Sequence, residues 1–199
     1  MMGTRSGTVD PGMLVYLLRH KGLDVNELDH ALNYQSGLLG LSGVSSDMRQ
    51  VLSELPHNPD ARLAIEVYVH RIRQTVGAMA ATLGGIDALV FTAGVGEHAP
   101  EIRERVCENL NYLGLELDRT ANETCKPDAD VAMPASAARI LVIATREDLT
   151  IMRETRQLVG SSISQPRETN MPDCINNRRN RQITSAPMGQ SGHCPRKEH

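Results

Sequence analysis

Two hydrophobic rhythms alternate along the first 159 residues. One repeats every three to four positions and predicts amphipathic helices; the other is a solid apolar run and predicts buried strands. Asp10 can cap a helix with Pro11 at its first position and Gly22 just past its end. Asp24, with Glu27 three residues on, predicts a capping box for a second helix. Ser45 or Ser46 is placed to cap a helix running through Leu55. Asn58-Pro59 opens the longest helical pattern, ending at Gly84-Gly85, with Leu63, Val67, Ile72, Val76 and Met79 among its apolar positions.

"DALVFTA" and "ARILVIAT" read as strands buried on both faces. Pro100 falls in the first turn of a helix expected to reach about Tyr112, and another helix is predicted from about Glu147 to Leu158. Solid strands alternating with helices predict an α/β fold with a helix-covered sheet. No internal repeat is evident.

The pattern changes near Gly160. Residues 160–199 are rich in Ser, Asn, Arg, Pro and Gln, and carry six Lys/Arg against three Asp/Glu from residue 161 on. Their large aliphatic side chains are Ile163, Met171, Ile175, Ile183 and Met188. Burying all five would yield at most roughly 15 kcal/mol. Ordering this stretch would cost on the order of 40–80 kcal/mol of backbone entropy. A disordered tail is therefore expected, following a folded body at 1–159.

Charge and composition narrow the function classes. A net charge of −3 and a pI near 6.2 give no bulk attraction to nucleic acid, and "NNRRNRQ" in the tail is the sole basic cluster. Aromatic residues make up 3%, which disfavours base-stacking surfaces. No apolar run approaches a membrane span, and "MMGTRSGTVDPG" lacks the basic start and apolar core of a signal peptide. Cys107, Cys125, Cys174 and Cys194 form no C-x-x-C pair and no metal spacing. A reduced, cytoplasmic protein with no membrane or nucleic-acid partner is expected. His20, His30, His57 and His70 read as surface residues.

Candidate chemistry sits where strands and loops meet helices. In "LVFTAGVGEHAPEIR", Gly94 and Gly96 would let backbone come close to a ligand, at a helix start whose N–H groups favour polar or anionic atoms. The spacing matches neither G-x-G-x-x-G nor the G-x-x-x-x-G-K-[ST] loop, and a tight turn without ligand fits it equally. Arg5 lies among small residues in "MMGTRSG", where its guanidinium could reach out unshielded. "SGLLGLSGVSSDMR" puts Asp47 and Arg49 at a helix start, where Arg49 opposes the helix dipole unless a ligand or partner uses it. Glu147 and Asp148 open the last helix, a position that dipole complementation alone explains.

Taken in order, "MMGTRSG-x-VDPG", "SGLLGLSGVSSDMR", "DALVFTAGVGEHAPEIRERVC", "LNYLGLELD" and "VIATREDLTIMRET" closely resemble the acetate and propionate kinase family of the actin-like ATPase superfamily. The resemblance covers about residues 1–159 and corresponds to roughly the second half of a family member. It implies an incomplete actin-like (ribonuclease H-like) C-terminal domain. By the same resemblance Arg5 stabilises the phosphoryl group in transfer, and Asp47, Met48 and Arg49 contact nucleotide. Gly94, Val95, Gly96, Glu97 and His98 form the adenosine-binding turn, with Ile102 beside the adenine, and Glu147 is associated with Mg²⁺. Many relatives carry Asn where His98 stands.

The implied reaction moves the γ-phosphoryl of ATP to acetate, giving ADP and acetyl phosphate, with ATP/ADP and Mg²⁺ as cofactors and a homodimer for the full-length family. Arginine and Mg²⁺ suit such a transfer, which needs positioning and charge neutralisation more than covalent help. The family's first domain, its carboxylate-binding residues and its "HLGNG"-type phosphate loop have no counterpart here. A truncated or frameshifted gene product is the expectation, with little or no activity alone and weak adenine-nucleotide binding retained. A non-catalytic nucleotide-binding remnant, or a propionate kinase, is the alternative.

Overall fold

The computed structural model describes residues 1–163. Residues Met1–Thr150 form one compact unit, and a second begins at Ile151. The disordered tail expected at 160–199 lies outside the described residues from 164 onward.

The first unit opens on a helical hairpin, α1 (Pro11–His20) and α2 (Val25–Tyr34). Asp10 caps the first through the Met13 N–H, and Asp24 with Glu27 closes the capping box of the second. Next come α3 (Gly37–Ser42), α4 (Met48–Glu54) and α5 (Pro59–Leu83). The start of α4 corrects the sequence expectation. Its cap is Asp47, whose carboxylate accepts from the Arg49 N–H at 2.9 Å, while the Ser45 hydroxyl accepts from the Asp47 N–H at 3.0 Å. A carboxylate directly before the first helical residue reaches the free N–H groups better than a serine one or two residues earlier.

The long helix begins at Asn58-Pro59 and ends at Gly84 as expected, but its inward face differs. Ala61, Ala64, Ile65, Val69 and Ala80 are buried, whereas Leu63 and Met79 stand about half exposed. Small side chains on the inner stripe let α3 and α4 close on α5, which leaves the bulkier stripe outside.

Three short strands complete the unit: β1 (Ala88–Phe91), β2 (Ala129–Asp130) and β3 (Arg139–Val142), in spatial order β1-β3-β2. β1 runs parallel to β3, and β2 antiparallel. The expected burial on both faces does not hold. Leu89 and Phe91 lie in register with Ile140 and Val142, and these four belong to a core that includes Ile65, Ile102 and Val106. Val90, on the opposite face, is 50% exposed. Among the described residues β1 is an edge strand covered on one face, so a solid apolar run does not guarantee two-sided burial here.

Between β1 and β3 lie α6 (Ala93–His98), α7 (Pro100–Cys107), a 3-10 turn at Asn111–Leu113 and α8 (Arg119–Thr124). α7 ends at Cys107 rather than near Tyr112. Glu108 leaves helical geometry and Asn109 adopts a left-handed φ of 64°, so the 3-10 turn is separate. α9 (Glu147–Ile163) follows β3. Among the described residues, no helix is long and apolar enough to cross a membrane.

Candidate functional site

The N-terminal segment is laid against α3 by backbone hydrogen bonds. Leu38 N–H donates to Met2, Leu39 to Gly3 and Ser36 to Thr4, at 2.8–2.9 Å. Gly37 makes this possible: its φ is 62°, and a Cβ there would sit 2.3 Å from the Met2 carbonyl oxygen and 2.6 Å from that of Arg5. The Arg5 side chain is exposed and has no partner among the described residues. Gly3, two residues before it, borders the Ser46 carbonyl, so this segment adjoins the entry to α4.

A cavity of about 390 Å³ lies between the starts of α4 and α6. Ser46 through Arg49 form one wall; Gly94, Val95, His98 and Ala99 form the other. Two segments that the sequence separates by some forty residues thus share one cavity. Met48 and Ala99 are buried at its base, while Arg49, Gly94 and His98 are exposed to it. The Arg49 guanidinium pairs with the Asp47 carboxylate at 2.6 Å, and this hydrogen bond holds the Asp47 carboxyl below its usual range.

The second wall is fixed by residues that motif reading missed. Ala93, not a glycine, takes the left-handed turn out of β1, with φ 61°. Its N–H donates to the Thr145 hydroxyl at 2.7 Å, and that hydroxyl also lies 2.6 Å from the Thr92 hydroxyl. Glu97 accepts from the Thr145 N–H at 2.7 Å, which lowers its pKa. Glu97 therefore ties α6 to the end of β3 and does not line the cavity.

Beneath α6 lies Arg103, only 1% exposed. One guanidinium nitrogen donates to the carbonyls of Gly96 and Glu97 at 2.8 and 2.9 Å. The others reach the side-chain and backbone oxygens of Asn122 at 2.7 and 2.8 Å and the Cys125 sulfur at 3.3 Å. Burial lowers the Arg103 pKa, yet every contact is to an acceptor that suits a cation. The sequence does carry a signal for it. Arg103 falls on the buried stripe of α7 with Ala99, Ile102 and Val106, and a charge on such a stripe demands partners.

The two glycines of the turn have different reasons. A Cβ on Gly96 would meet the Phe91 backbone at 3.2 Å, so that glycine serves close helix–strand packing. A Cβ on Gly94 would meet nothing within 4 Å, and Gly94 faces the cavity. Ile102 is 2% exposed within the core and is absent from the cavity lining.

Glu147 opens α9, two residues after Thr145, and its side chain is exposed. Among the described residues, no three His, Cys, Asp or Glu converge into a metal cage. A lone carboxylate there fits an ion of the Mg²⁺ type, which takes one or two protein carboxylates and completes its shell with phosphate and water. A larger concavity, about 540 Å³, lies between α5 and α7 around His70 and Arg73, and none of the site residues above lines it.

The model of the Acetokinase family matches residues 1–153. An acetate kinase from Nostoc punctiforme is 53% identical over 160 residues, which cover 80% of this chain and 40% of that one. The crystal structure of Porphyromonas gingivalis acetate kinase superposes with a TM-score of 0.74 at 40% identity, covering 80% of this chain and 40% of that one. A propionate kinase from Francisella tularensis gives 0.70 at 39% identity, covering 77% and 39%. The chain thus spans about 40% of the length of the curated relatives it matches, and it belongs to the acetokinase family.

Proposed function

We propose that the cavity between α4 and α6 receives the adenosine end of ADP or ATP, and that this chain carries the nucleotide-binding side of an acetate kinase-type phosphotransferase. The observation behind the reading is the meeting of Asp47-Met48-Arg49 with Gly94-Val95 and His98 around one cavity of about 390 Å³. The backbone at Gly94 gives a flat base or sugar an approach that no side chain blocks. The exposed Arg49 guanidinium, at 86% exposure, is free to swing from Asp47 toward a phosphate. Arg5, unpaired on a segment bordering Ser46, is the candidate for stabilising the phosphoryl group in transfer. Glu147 would hold Mg²⁺ together with the nucleotide phosphates, and the ion would neutralise phosphate charge.

For the chain by itself the reading is narrower. Transfer to acetate, or to propionate as in one relative, needs a water-excluding cleft with two walls. Most of the length of the relatives has no counterpart here. The chain alone is expected to bind adenine nucleotide without turnover. Calorimetry with ADP tests this. Gly94→Leu should weaken binding at least tenfold and leave the urea midpoint unchanged. A folded wild-type chain that binds neither ADP nor ATP sinks the assignment. Acetyl phosphate made by the pure chain, and lost in Arg5→Ala, overturns the lack of turnover.

A further inference from the structure

The joint between β3 and α9 is held from several directions. Ile143 N–H donates to the Phe91 carbonyl of β1 at 2.9 Å, Ala144 N–H to the Asp128 carboxylate at 2.9 Å, and Thr145 N–H to Glu97 of α6 at 2.7 Å. Arg146 comes next, at the cap of α9, where its carbonyl accepts from the Thr150 N–H at 3.4 Å. A cation at a helix N-terminus opposes the dipole, and this one stands directly before Glu147. Asp128 answers it with its second oxygen, which pairs with the Arg146 guanidinium at 2.6 Å. Among the acids that raise the Arg146 pKa, Asp128 acts most strongly, ahead of Glu97 and Asp148.

The pair does little for folding, because its two side chains are 54% and 42% exposed. What it changes is where the cation can go. A guanidinium released from Asp128 has the exposed Glu147 carboxylate as its chain neighbour, and would compete there with any metal ion. We propose that Asp128 is a positioning residue for the metal end of the nucleotide site: by holding Arg146, it keeps the Glu147 carboxylate open to the Mg²⁺ that accompanies a bound nucleotide. Asp128 lies outside the cavity between α4 and α6 and acts through Arg146 alone. The proposal rests on the reading of Glu147 as the carboxylate that meets the ion, and the variants below separate the two.

The test measures ADP affinity of the full chain by calorimetry, once with saturating Mg²⁺ and once with the metal chelated. The ratio of the two affinities is the readout, since a merely structural role would lower both alike. Asp128→Asn keeps an oxygen for the Ala144 N–H and turns an uncharged amide toward Arg146. It should lower the ratio about three- to fivefold, the range an exposed ion pair can supply, with metal-free affinity nearly unchanged. Adding Arg146→Gln to that variant should restore the ratio to within about twofold of wild type, and Arg146→Gln alone should move it no further than that. A loss in Asp128→Asn that Arg146→Gln does not restore overturns the proposal, because Asp128 would then act through the Ala144 N–H. Arg146→Gln alone raising the ratio threefold or more overturns it too, because the two charges would then act as a general field. A ratio that falls in Glu147→Gln but not in Asp128→Asn sinks this proposal and leaves the reading of Glu147 standing. A ratio unmoved in Glu147→Gln sinks both. Should Asp128→Asn fail to fold, Asp128→Ser, which also keeps an oxygen acceptor, carries the same expectations.

Discussion

The two walls of the cavity are built by opposite strategies. The α4 wall is local: Asp47 caps its own helix through the Arg49 N–H and pairs with the Arg49 side chain two residues on. The α6 wall is assembled from afar. Its entrance is pinned by Thr145, 52 residues downstream of Ala93, and its carbonyls are gathered by Arg103, itself anchored on Asn122. A wall of the first kind forms wherever its few residues occur in order. The second kind exists only when the sheet and α7 are in place, so it transmits damage from distant positions. Mutational effects should therefore be lopsided, large behind α6 and slight at α4.

The largest effect is expected at Arg103. Arg103→Ala leaves the carbonyls of Gly96 and Glu97 and the side-chain oxygen of Asn122 without their donor, leaves the Asn122 carbonyl with the Cys125 thiol, and opens a cavity besides. Each unsatisfied buried acceptor costs about 1–3 kcal/mol, so a loss of roughly 3–5 kcal/mol is expected, partly offset by relaxation. That is a large share of the ~5–15 kcal/mol that holds a domain together. The urea midpoint measures it, with Arg103→Lys expected to fall between the two. An alanine variant as stable as wild type would remove the basis for calling the α6 wall long-range.

Gly96→Ala comes next. The added methyl would press on the Phe91 backbone at 3.2 Å, so α6 must ride outward by a few tenths of an ångström. A cost of about 1 kcal/mol is expected, at the low end of the overpacking range. Gly94→Ala, two residues away with open space around it, should leave the urea midpoint where it is. If the two alanines behave alike, the packing distinction between them is wrong.

This asymmetry also explains what could be read from the sequence. The capped helices were legible because caps are local: Asp10, Asp24 and Asn58 each sit beside the N–H groups they satisfy. The family phrases brought both cavity walls to attention, although their meeting in one cavity is a tertiary fact. The open outer face of β1 was not legible, because a four-residue apolar run looks the same with one face covered or two. Nor was the role of Thr145, whose hydroxyl acts across 52 residues. Glu97 adds a tertiary fact of the same kind: it stands inside the phrase with the two glycines, and its carboxylate is engaged by the Thr145 N–H.

Acid should find the α6 wall through that contact. The Thr145 N–H holds the Glu97 carboxyl below its ordinary pKa, so the stabilisation is fully present above about pH 5 and is lost as pH falls through the folded-state value. Asp128 behaves the same way on its hydrogen bond from Arg146, next to Thr145, and Asp47 on its bond from Arg49. Wild type should thus lose stability below the ordinary carboxylate range. Glu97→Gln keeps an acceptor for the Thr145 N–H but no longer titrates, so its urea midpoint should fall less between pH 7 and pH 3.5. Identical slopes for the two proteins would mean that Glu97 does not couple α6 to β3.

The smallest effect is expected at Arg49, where the comparison is sharpest. Its side chain is 86% exposed, and its ion pair with Asp47 is of the solvent-screened kind that contributes little to folding. The cap of α4 uses the Arg49 backbone N–H, which survives in Arg49→Ala. The urea midpoint should therefore not move measurably, in contrast to Arg103→Ala. ADP affinity should fall nonetheless, and wild-type affinity should fall more steeply with added salt than that of the variant, because the lost contact is a charge meeting a phosphate in water. An unfolded Arg49→Ala would show that the Arg49 side chain holds more of the fold than its exposed ion pair with Asp47. A fully stable variant with unchanged ADP affinity would leave Arg49 a surface residue, and Asp47 alone would then account for the order of that wall.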